Sequence, residues 1–302
     1  MTTEYHIPVL LKTSVDGLNI KPDGVYVDLT FGGGGHSRQI LKHLGSGGRL
    51  VAFDQDADAW GNAPDDDRFM LIKHNFRYLQ HFLDYLGYDK VDGILGDLGV
   101  SSHHFDSPER GFSFRFDGAL DMRMGPGIKV TAADIVNKAP EEKLFSIFKL
   151  YGEVPSCGKL VRAILNARNQ TPFKTTGHLK DLAQTVAPRK DVNKFLAQVF
   201  QALRIEVNKE MEVLEEVLMQ MPKVIKPGGR LVVIAYHSLE DRMVKNFIRS
   251  GDFSKSQADA DLYGNREVPF KAVSRKAVQA DDEEVKENPR ARSAKLRIAE
   301  KL

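Results

Sequence analysis

Short apolar runs alternate with amphipathic stretches through the first hundred residues. The runs that are typical of β-strands begin at Val25, Arg49, Arg68 and Val91, and later at Leu231 and Ala294. Most of them are followed by apolar residues at helical spacing. Strands that alternate with helices predict an α/β domain with a mostly parallel sheet.

This alternation stops in the middle of the chain. Residues 105–130 are rich in aromatics and glycines, and several short helices are predicted over residues 131–196, including Glu141–Leu150 and Gly158–Asn169. We therefore predict an inserted helical domain, after which one long helix over Asn193–Met219 leads back to the sheet. The predicted parts are residues 1–106 and 197–302 for the sheet domain and residues 107–196 for the insertion.

Composition restricts the class of protein. Among 302 residues there is one cysteine, which excludes an internal disulfide or a cysteine metal cage, and nine scattered histidines give no reason to expect a metal. Without an apolar run of spanning length or a signal-peptide pattern, we expect a cytoplasmic protein that does not bind membranes.

Between Ser107 and Leu196 there are 15 Lys and Arg against 9 Asp and Glu, so the insertion is either a polyanion-binding surface or an ordinary solvated one. The acidic run Asp281–Glu284 is expected in a solvated loop.

Four consecutive glycines, Gly32–Gly35, follow the first strand, which ends in Asp28. A helical pattern begins directly after them, so a nucleotide-binding loop is favoured over a flexible linker. The second strand ends in another acid, Asp54, about twenty residues further on. An acid at this spacing can accept both hydroxyls of a ribose, although it could also cap the next helix.

The type of nucleotide follows from the residues around the glycines. The dinucleotide fingerprint fails at its last glycine, where Ser37 stands, and an acid at Asp28 would repel a pyrophosphate. A phosphate-binding loop would need a Gly-Lys-Ser/Thr ending, which is absent from the sequence. S-adenosylmethionine has no phosphates and carries an ammonium and a sulfonium, so Asp28, Gly32, Gly34 and Asp54 favour it over NAD.

Six motifs resemble the bacterial ribosomal RNA small-subunit methyltransferase H family, in order and across essentially the whole chain. The motifs are Asp28 to Ser37, Asp97 to Ser102, Glu109 to Phe114, Leu120 to Met124, His237 to Arg242 and Asn288 to Ser293. The resemblance implies a class I S-adenosylmethionine-dependent methyltransferase fold with an inserted helical substrate-recognition domain. It also implies N4-methylation of a cytidine in the decoding region of small-subunit ribosomal RNA, within an assembled or late-assembling subunit.

The same resemblance implies cofactor contacts. Carried over by position, they are Gly34, Gly35, His36, Asp54, Phe76 and Asp97. Phe76 would stack on a purine ring, although packing is a close alternative. The family commonly has a glutamine in the cofactor site where this chain has His104, so the role of that residue is open.

Candidate catalytic residues lie at predicted strand ends. Asp97 either accepts a hydrogen bond from the target amine or binds the cofactor, and the sequence favours neither alternative over the other. Ser101 is a second polar candidate, and His237 takes up the released proton or caps the following helix.

Substrate contacts are predicted in two segments. Phe112 and Phe114, beside Arg110 and Arg123, either form a platform for a splayed base or are the core of the insertion. Arg290 and Arg292 either contact phosphates or serve surface solubility. The competing functions are an amino-methyltransferase acting on DNA, another RNA or a small molecule, and a non-catalytic RNA-binding assembly factor.

Overall fold

The computed structural model describes residues 8–100, 102–251, 253 and 268–302, apart from the side chains of residues 102 and 103. The chain forms two compact units. One unit combines Met1–Gly99 with Met211–Leu302, and the other comprises Val100–Glu210. An α/β fold interrupted by a second unit is what the sequence pattern predicted.

A seven-stranded sheet forms the centre of the first unit. Its strands are β1 Val25–Asp28, β2 Arg49–Phe53, β3 Phe69–Ile72, β4 Val91–Asp97, β5 Ile225–Ala235, β6 Phe270–Ala272 and β7 Lys295–Lys301. Their order is β3-β2-β1-β4-β5-β7-β6, and strands β1 to β5 are mutually parallel. Strand β7 is antiparallel to both of its neighbours, so the sheet is mostly parallel, as predicted.

Helices cover both faces of this sheet. They are α1 Leu11–Gly17, α2 Gly35–His43, α3 Leu79–Tyr85, α10 Glu210–Val224, α11 Ser238–Ser250 and α12 Asp282–Glu287. Successive strand residues point to opposite faces, so Tyr26 packs in the core with α1 and α2, whereas Val27 packs in the core with α3, α10 and α11. Burial on both faces explains why the parallel strands are continuous apolar runs.

The second unit is helical and has its own core. Its helices are α4 Ser102–Asp106, α5 Ala132–Lys138, α6 Glu141–Leu150, α7 Cys157–Arg168, α8 Thr176–Val186 and α9 Val192–Asn208. Leu144, Leu160, Leu179 and Leu203, one from each of the four longer helices, are fully buried in one hydrophobic cluster. Within the described parts of the chain, no helix combines the length and apolarity needed to cross a membrane.

The predicted long helix over 193–219 is interrupted. Lys209 adopts a left-handed backbone conformation with φ 54°, which ends α9 and separates it from α10. Because α9 packs in the helical core, the second unit extends over Val100–Glu210 rather than the predicted residues 107–196. A helical pattern in the sequence does not show such a break, since leucine and valine spacing continues through it.

Residues 226–229 interrupt the pairing of β5 with β4, which moves from Val91–Ile225 to Gly93–Arg230, and Gly228 has φ 74° there. One further local prediction needs correction. The acidic run predicted as a loop begins helix α12, because the Asp281 side chain accepts a hydrogen bond from the Glu284 amide and so caps the helix.

Candidate functional site

Three acids lie at one edge of the sheet. Strands β2, β1 and β4 are neighbours and run parallel, so their carboxyl ends lie side by side. Asp28 and Asp97 are the last residues of β1 and β4, and Asp54 follows β2 directly. In open α/β sheets ligands bind at this edge, where the chain crosses from one side of β1 to the other.

Asp28 is completely buried. Its Oδ1 accepts a hydrogen bond from the Thr30 amide at 3.0 Å, and its Oδ2 accepts one from the Ser37 hydroxyl at 2.6 Å. Burial raises the pKa of Asp28, and the two hydrogen bonds oppose that shift. Through these bonds Asp28 orders the glycine loop and the first turn of α2, and its contact with the cofactor stays a prediction.

Two glycines of the loop have left-handed backbone conformations, but their surroundings differ. Gly34 has φ 74°, and a Cβ there would lie 2.8 Å from the Phe31 ring. Gly32 has φ 51°, and a Cβ there would meet no atom within 4 Å. A side chain at Gly32 would therefore occupy open space beside the loop, which is the space that a ligand needs.

Asp54 joins the second strand to this loop. Its Oδ2 accepts a hydrogen bond from the Gly32 amide at 2.7 Å, and its Oδ1 accepts one from the Asp56 amide at 2.8 Å. Burial raises the pKa of Asp54 to about 6, against the lowering effect of these two amides. Asp54 nevertheless remains partly exposed, so its carboxylate can accept further hydrogen bonds from ligand hydroxyls.

Phe76 lies in the loop that follows β3. The Asn75 side-chain amide donates to the Gln55 side-chain oxygen at 2.9 Å, which ties this loop to the segment after Asp54. Phe76 is partly buried against the hydrophobic core of the sheet. Phe76 lies beside the segment that follows Asp54, which suits stacking on an adenine whose ribose binds Asp54. Its packing against the core is present with or without a ligand.

Asp97 has polar partners on three sides. Its amide donates to the Thr30 hydroxyl at 2.7 Å, and its Oδ1 accepts from the Tyr236 hydroxyl at 2.7 Å. The Nδ1 of His36 lies 3.8 Å from Oδ2. Burial raises the pKa of Asp97 to about 6, while His36 and Tyr236 both act to lower it.

His36 is buried in the first turn of α2. Its Nε2 has no hydrogen-bond partner within the part of the chain that the structure describes. Buried polar atoms without partners are uncommon in native proteins. The imidazole is therefore a further group at this edge that can bind a polar ligand.

His237 has the capping role that was one of its two predicted alternatives. It is the N-cap of α11, and its Nδ1 accepts from the Glu240 amide while the Glu240 carboxylate accepts from the His237 amide. Its Nε2 lies 3.1 Å from Glu240 Oε1. The capping role is confirmed, whereas Nε2 has no hydrogen-bond partner in the described part of the chain, so proton uptake by His237 stays a prediction.

The predicted substrate residues of the second unit are engaged within it. Phe112 is only 4% exposed, belongs to the helical core and packs against His104 at 4.7 Å between ring centroids. Phe114 packs against the same core. Arg123 pairs with Asp121 through two hydrogen bonds of 2.7 Å, and the Arg110 guanidinium donates to the Arg123 carbonyl. For Phe112 the structure thus agrees with the alternative that it is part of the core of the insertion.

Arg290 and Arg292 precede β7. In the antiparallel pairing Lys295 lies opposite Ala235, the last residue of β5, so the start of β7 is at the carboxyl edge of the parallel strands. Arg292 is exposed and Arg290 is half-buried. Ser101, a predicted catalytic residue, lies outside the described residues.

The comparisons with known proteins agree on one family. The sequence matches the MraW methylase family over residues 3–302. The chain belongs to this family. It is 58% identical to the ribosomal RNA small subunit methyltransferase H of Bacteroides thetaiotaomicron over 98% of this chain and 97% of that protein. It is 56% identical to that of Flavobacterium johnsoniae over 100% and 99%, and 58% identical to that of Cytophaga hutchinsonii over 98% and 99%.

Membership of this methylase family makes the fold that of a class I methyltransferase and S-adenosylmethionine the methyl donor. The site fits such a ligand. The open space at Gly32, the partly exposed Asp54 and the unpartnered Nε2 of His36 offer room and polar groups. The acids and amides at this edge suit a ligand that carries hydroxyls and cations.

Sequence reasoning missed three residues that position the MraW-family site. Ser37 bonds to Asp28, whereas Thr30 and Tyr236 bond to Asp97, and none of the three was among the predicted site residues. The sequence signal for Ser37 was its position in the first turn of a predicted helix, nine residues after Asp28. No such signal pointed to Tyr236, since 139 residues separate it from Asp97.

The Asp28–Ser37 hydrogen bond gives a stability prediction. Ser37→Ala leaves Oδ2 of a buried carboxylate without its donor, so we expect a loss of about 1–3 kcal/mol in the free energy of unfolding. Urea denaturation measures this loss in the free energy of unfolding. The exposed residue Ser46 is the matched control, and Ser46→Ala should change stability by no more than about 0.5 kcal/mol. Equal effects of the two substitutions would contradict the role assigned to Asp28.

Proposed function

We propose that this protein transfers a methyl group from S-adenosylmethionine to small-subunit ribosomal RNA, at N4 of a cytidine in the decoding region. The observation that carries the proposal is the match over nearly the full length to relatives named ribosomal RNA small subunit methyltransferase H. The motif-by-motif resemblance over the same chain supports the choice of cytidine N4. The substrate is an assembled or late-assembling small subunit in the cytoplasm.

In this proposal the cofactor lies across the carboxyl ends of β2, β1 and β4. Asp54 accepts the ribose hydroxyls, Phe76 stacks on the adenine, and the amides of Gly34 and Gly35 face the carboxylate. Asp54 lies on the β2 side of the loop and Asp97 lies on the β4 side. Asp97 is therefore placed to bind the cationic end of the ligand whose ribose binds Asp54. The pairing order of the three strands supports this arrangement.

The bound cofactor supplies a methyl group on a sulfonium, and the C–S electron pair stays on sulfur as a neutral thioether when the amine nitrogen bonds to the methyl carbon. The cytosine amine is a weak nucleophile because its lone pair is conjugated into the ring. The protein therefore acts mainly by holding the amine in line, an effect that reaches about 7–11 kcal/mol in well-oriented reactions. Asp97 is also the candidate to receive the released amine proton, because burial brings its pKa to about 6.

RNA contacts are proposed in each unit. In the first unit, Arg292 is exposed at the edge of the sheet that carries the candidate site. In the second unit, the exposed basic side chains include Lys149, Lys159, Arg162, Lys174, Arg189 and Lys190. Arg168 differs, because its Nη1 donates to the carbonyls of Val136 and Ala139 at the end of α5. Exposed cations near phosphates release counterions and favour a polyanion.

The two alternatives predict different outcomes. An amino-methyltransferase acting on DNA or on a small molecule would label that substrate, and an assembly factor would label none. The intact Asp28, Asp54 and Asp97 hydrogen-bond arrangement favours an enzyme over a relic fold.

Incubation with S-adenosylmethionine labelled in its methyl group tests the proposal. The parallel substrates are assembled small subunits, naked small-subunit ribosomal RNA and duplex DNA. We expect label in ribosomal RNA as N4-methylcytidine, identified by nucleoside analysis. Label that appears only in DNA, on another base, or in no substrate would overturn the proposal.

Asp54 gives a prediction about cofactor affinity. Its pKa of about 6 means that affinity for S-adenosylhomocysteine should weaken as the pH falls through about 6, because the protonated carboxyl accepts hydroxyl hydrogens less well. Asp54→Asn should lower the affinity by about tenfold or more near neutral pH and reduce this dependence to the part that Asp97 contributes. Calorimetric titration measures both.

The control for this experiment is Asp67→Asn, an exposed carboxylate of the same unit. It should keep the affinity and the pH dependence of the unmodified protein. Unchanged affinity in Asp54→Asn would show that the ribose is held elsewhere.

Arg292 gives a prediction about RNA. Arg292→Ala should weaken RNA binding, reduce the slope of log affinity against log salt by about 1, and leave affinity for S-adenosylhomocysteine unchanged. Filter binding over a salt series provides the measurement. Lys90→Ala is the matched control, since Lys90 is exposed directly before β4, at the opposite edge of the sheet. If Arg292→Ala alters cofactor affinity but not the salt slope, the phosphate assignment is wrong.

A further inference from the structure

Tyr236 is the first residue after β5, and its side chain contacts the Asp97 carboxylate. Its hydroxyl donates to Asp97 Oδ1 at 2.7 Å. Asp97 pairs with Ile234 in the β4–β5 register, so this contact is fixed by the sheet and by a turn of only two residues. The start of α11 holds the backbone of Tyr236, because its amide donates to Glu240 Oε2 at 2.9 Å.

The Tyr236 hydroxyl can only be the donor in this pair. Burial and the neighbouring Asp97 carboxylate raise the pKa of Tyr236 well above its usual value, so it keeps its proton over the whole physiological range. A phenol that donates to a carboxylate forms a charge-assisted hydrogen bond, which is stronger than one between neutral groups. Tyr236 therefore fixes the rotamer of Asp97 and favours its ionised form.

The two oxygens of Asp97 consequently differ. Oδ1 receives the Tyr236 hydrogen bond, whereas the nearest described partner of Oδ2 is His36 Nδ1, at 3.8 Å, beyond hydrogen-bond distance. Asp97 is 22% exposed on its side chain, so a ligand can reach it. Oδ2 thus has both of its lone pairs left for a ligand, whereas Oδ1 already accepts one hydrogen bond.

We propose that Tyr236 is a positioning residue that holds Asp97 so that Oδ2 accepts a hydrogen bond from the cationic amino group of the bound cofactor. Tyr236 acts through Asp97 and does not touch the ligand itself. The inference rests on the proposed cofactor placement, but it is independent of which nucleic acid is methylated.

The first test is a double-mutant cycle on affinity for S-adenosylhomocysteine, measured by calorimetry. Tyr236→Phe removes only the hydroxyl and should weaken binding by about tenfold or more. In an Asp97→Asn background the same substitution should change affinity by less than about twofold, because the partner of the hydroxyl is no longer a carboxylate. A cycle of this kind separates a specific pair from general damage to the fold.

Tyr26→Phe is the matched control. Tyr26 is a fully buried tyrosine of β1 whose hydroxyl also has one hydrogen bond, accepted from the Lys21 amide at 2.7 Å. Its loss should lower stability without weakening S-adenosylhomocysteine binding. If Tyr26→Phe weakens binding as much as Tyr236→Phe does, the effect is one of stability and the inference is overturned.

The second test is the pH dependence of the same affinity. The groups that face Asp97 are His36 on α2, Tyr236 after β5, Asp28 on β1 and Glu240 on α11. Of these, Tyr236 and His36 favour the ionised carboxylate, so Tyr236→Phe should move the acidic limb of the affinity profile to higher pH. Asp54 titrates alike in the unmodified protein and in Tyr236→Phe, so a displaced acidic limb reports a changed pKa of Asp97.

The outcomes separate this inference from the proposed function. Binding within about twofold of the unmodified protein in Tyr236→Phe, a loss that persists fully beside Asp97→Asn, or an unmoved acidic limb would each overturn the role of Tyr236. Loss of binding as expected, together with no methylation of ribosomal RNA, would leave that role standing while the proposed substrate fails.

Discussion

Asp28 is fully buried, and each of its carboxylate oxygens accepts one short hydrogen bond, from Thr30 and from Ser37. These bonds fix the direction in which the chain leaves β1 and the position at which α2 begins. Burying a carboxyl group is costly unless its oxygens are hydrogen-bonded, so the loop conformation and the burial of Asp28 depend on each other. Gly32 and Gly34 lie between Thr30 and Ser37, so they can adopt left-handed conformations while both ends of the loop stay fixed.

The loop that Asp28 orders contacts both neighbouring strands. On one side the Gly32 amide donates to Asp54 after β2, and on the other the Thr30 hydroxyl accepts from the Asp97 amide at the end of β4. Three acids are thereby held at one edge, and burial raises the pKa of each. Such an edge favours ligand hydroxyls and cations and disfavours phosphates, which is the electrostatic reason why an S-adenosyl ligand fits a glycine loop of this kind.

Much of this arrangement was predictable from local sequence. The position of Asp54 and Asp97 at strand ends follows from apolar runs that stop in an acid, and the bounds of α6, Glu141–Leu150, follow from helical periodicity alone. The α/β class and the inserted helical unit follow from where that alternation stops.

The parts that sequence reasoning missed depend on tertiary structure. Lys209 interrupts a continuous apolar pattern through its backbone conformation, which no side-chain spacing records. Phe112 suited a base platform by composition, but it is a core residue because the second unit needs apolar volume. Tyr236 contacts an acid 139 residues away in sequence, and only the strand order brings the two together.

The central claim is that the carboxyl ends of β2, β1 and β4 form one cofactor site, with Asp54 and Asp97 at its two sides. A crystal structure with S-adenosylhomocysteine tests it most directly. The account predicts ribose hydroxyls within hydrogen-bond distance of the Asp54 carboxylate and the amino group of the ligand within hydrogen-bond distance of Asp97 Oδ2. A ligand bound with its ribose away from Asp54, or at another edge of the sheet, would contradict it.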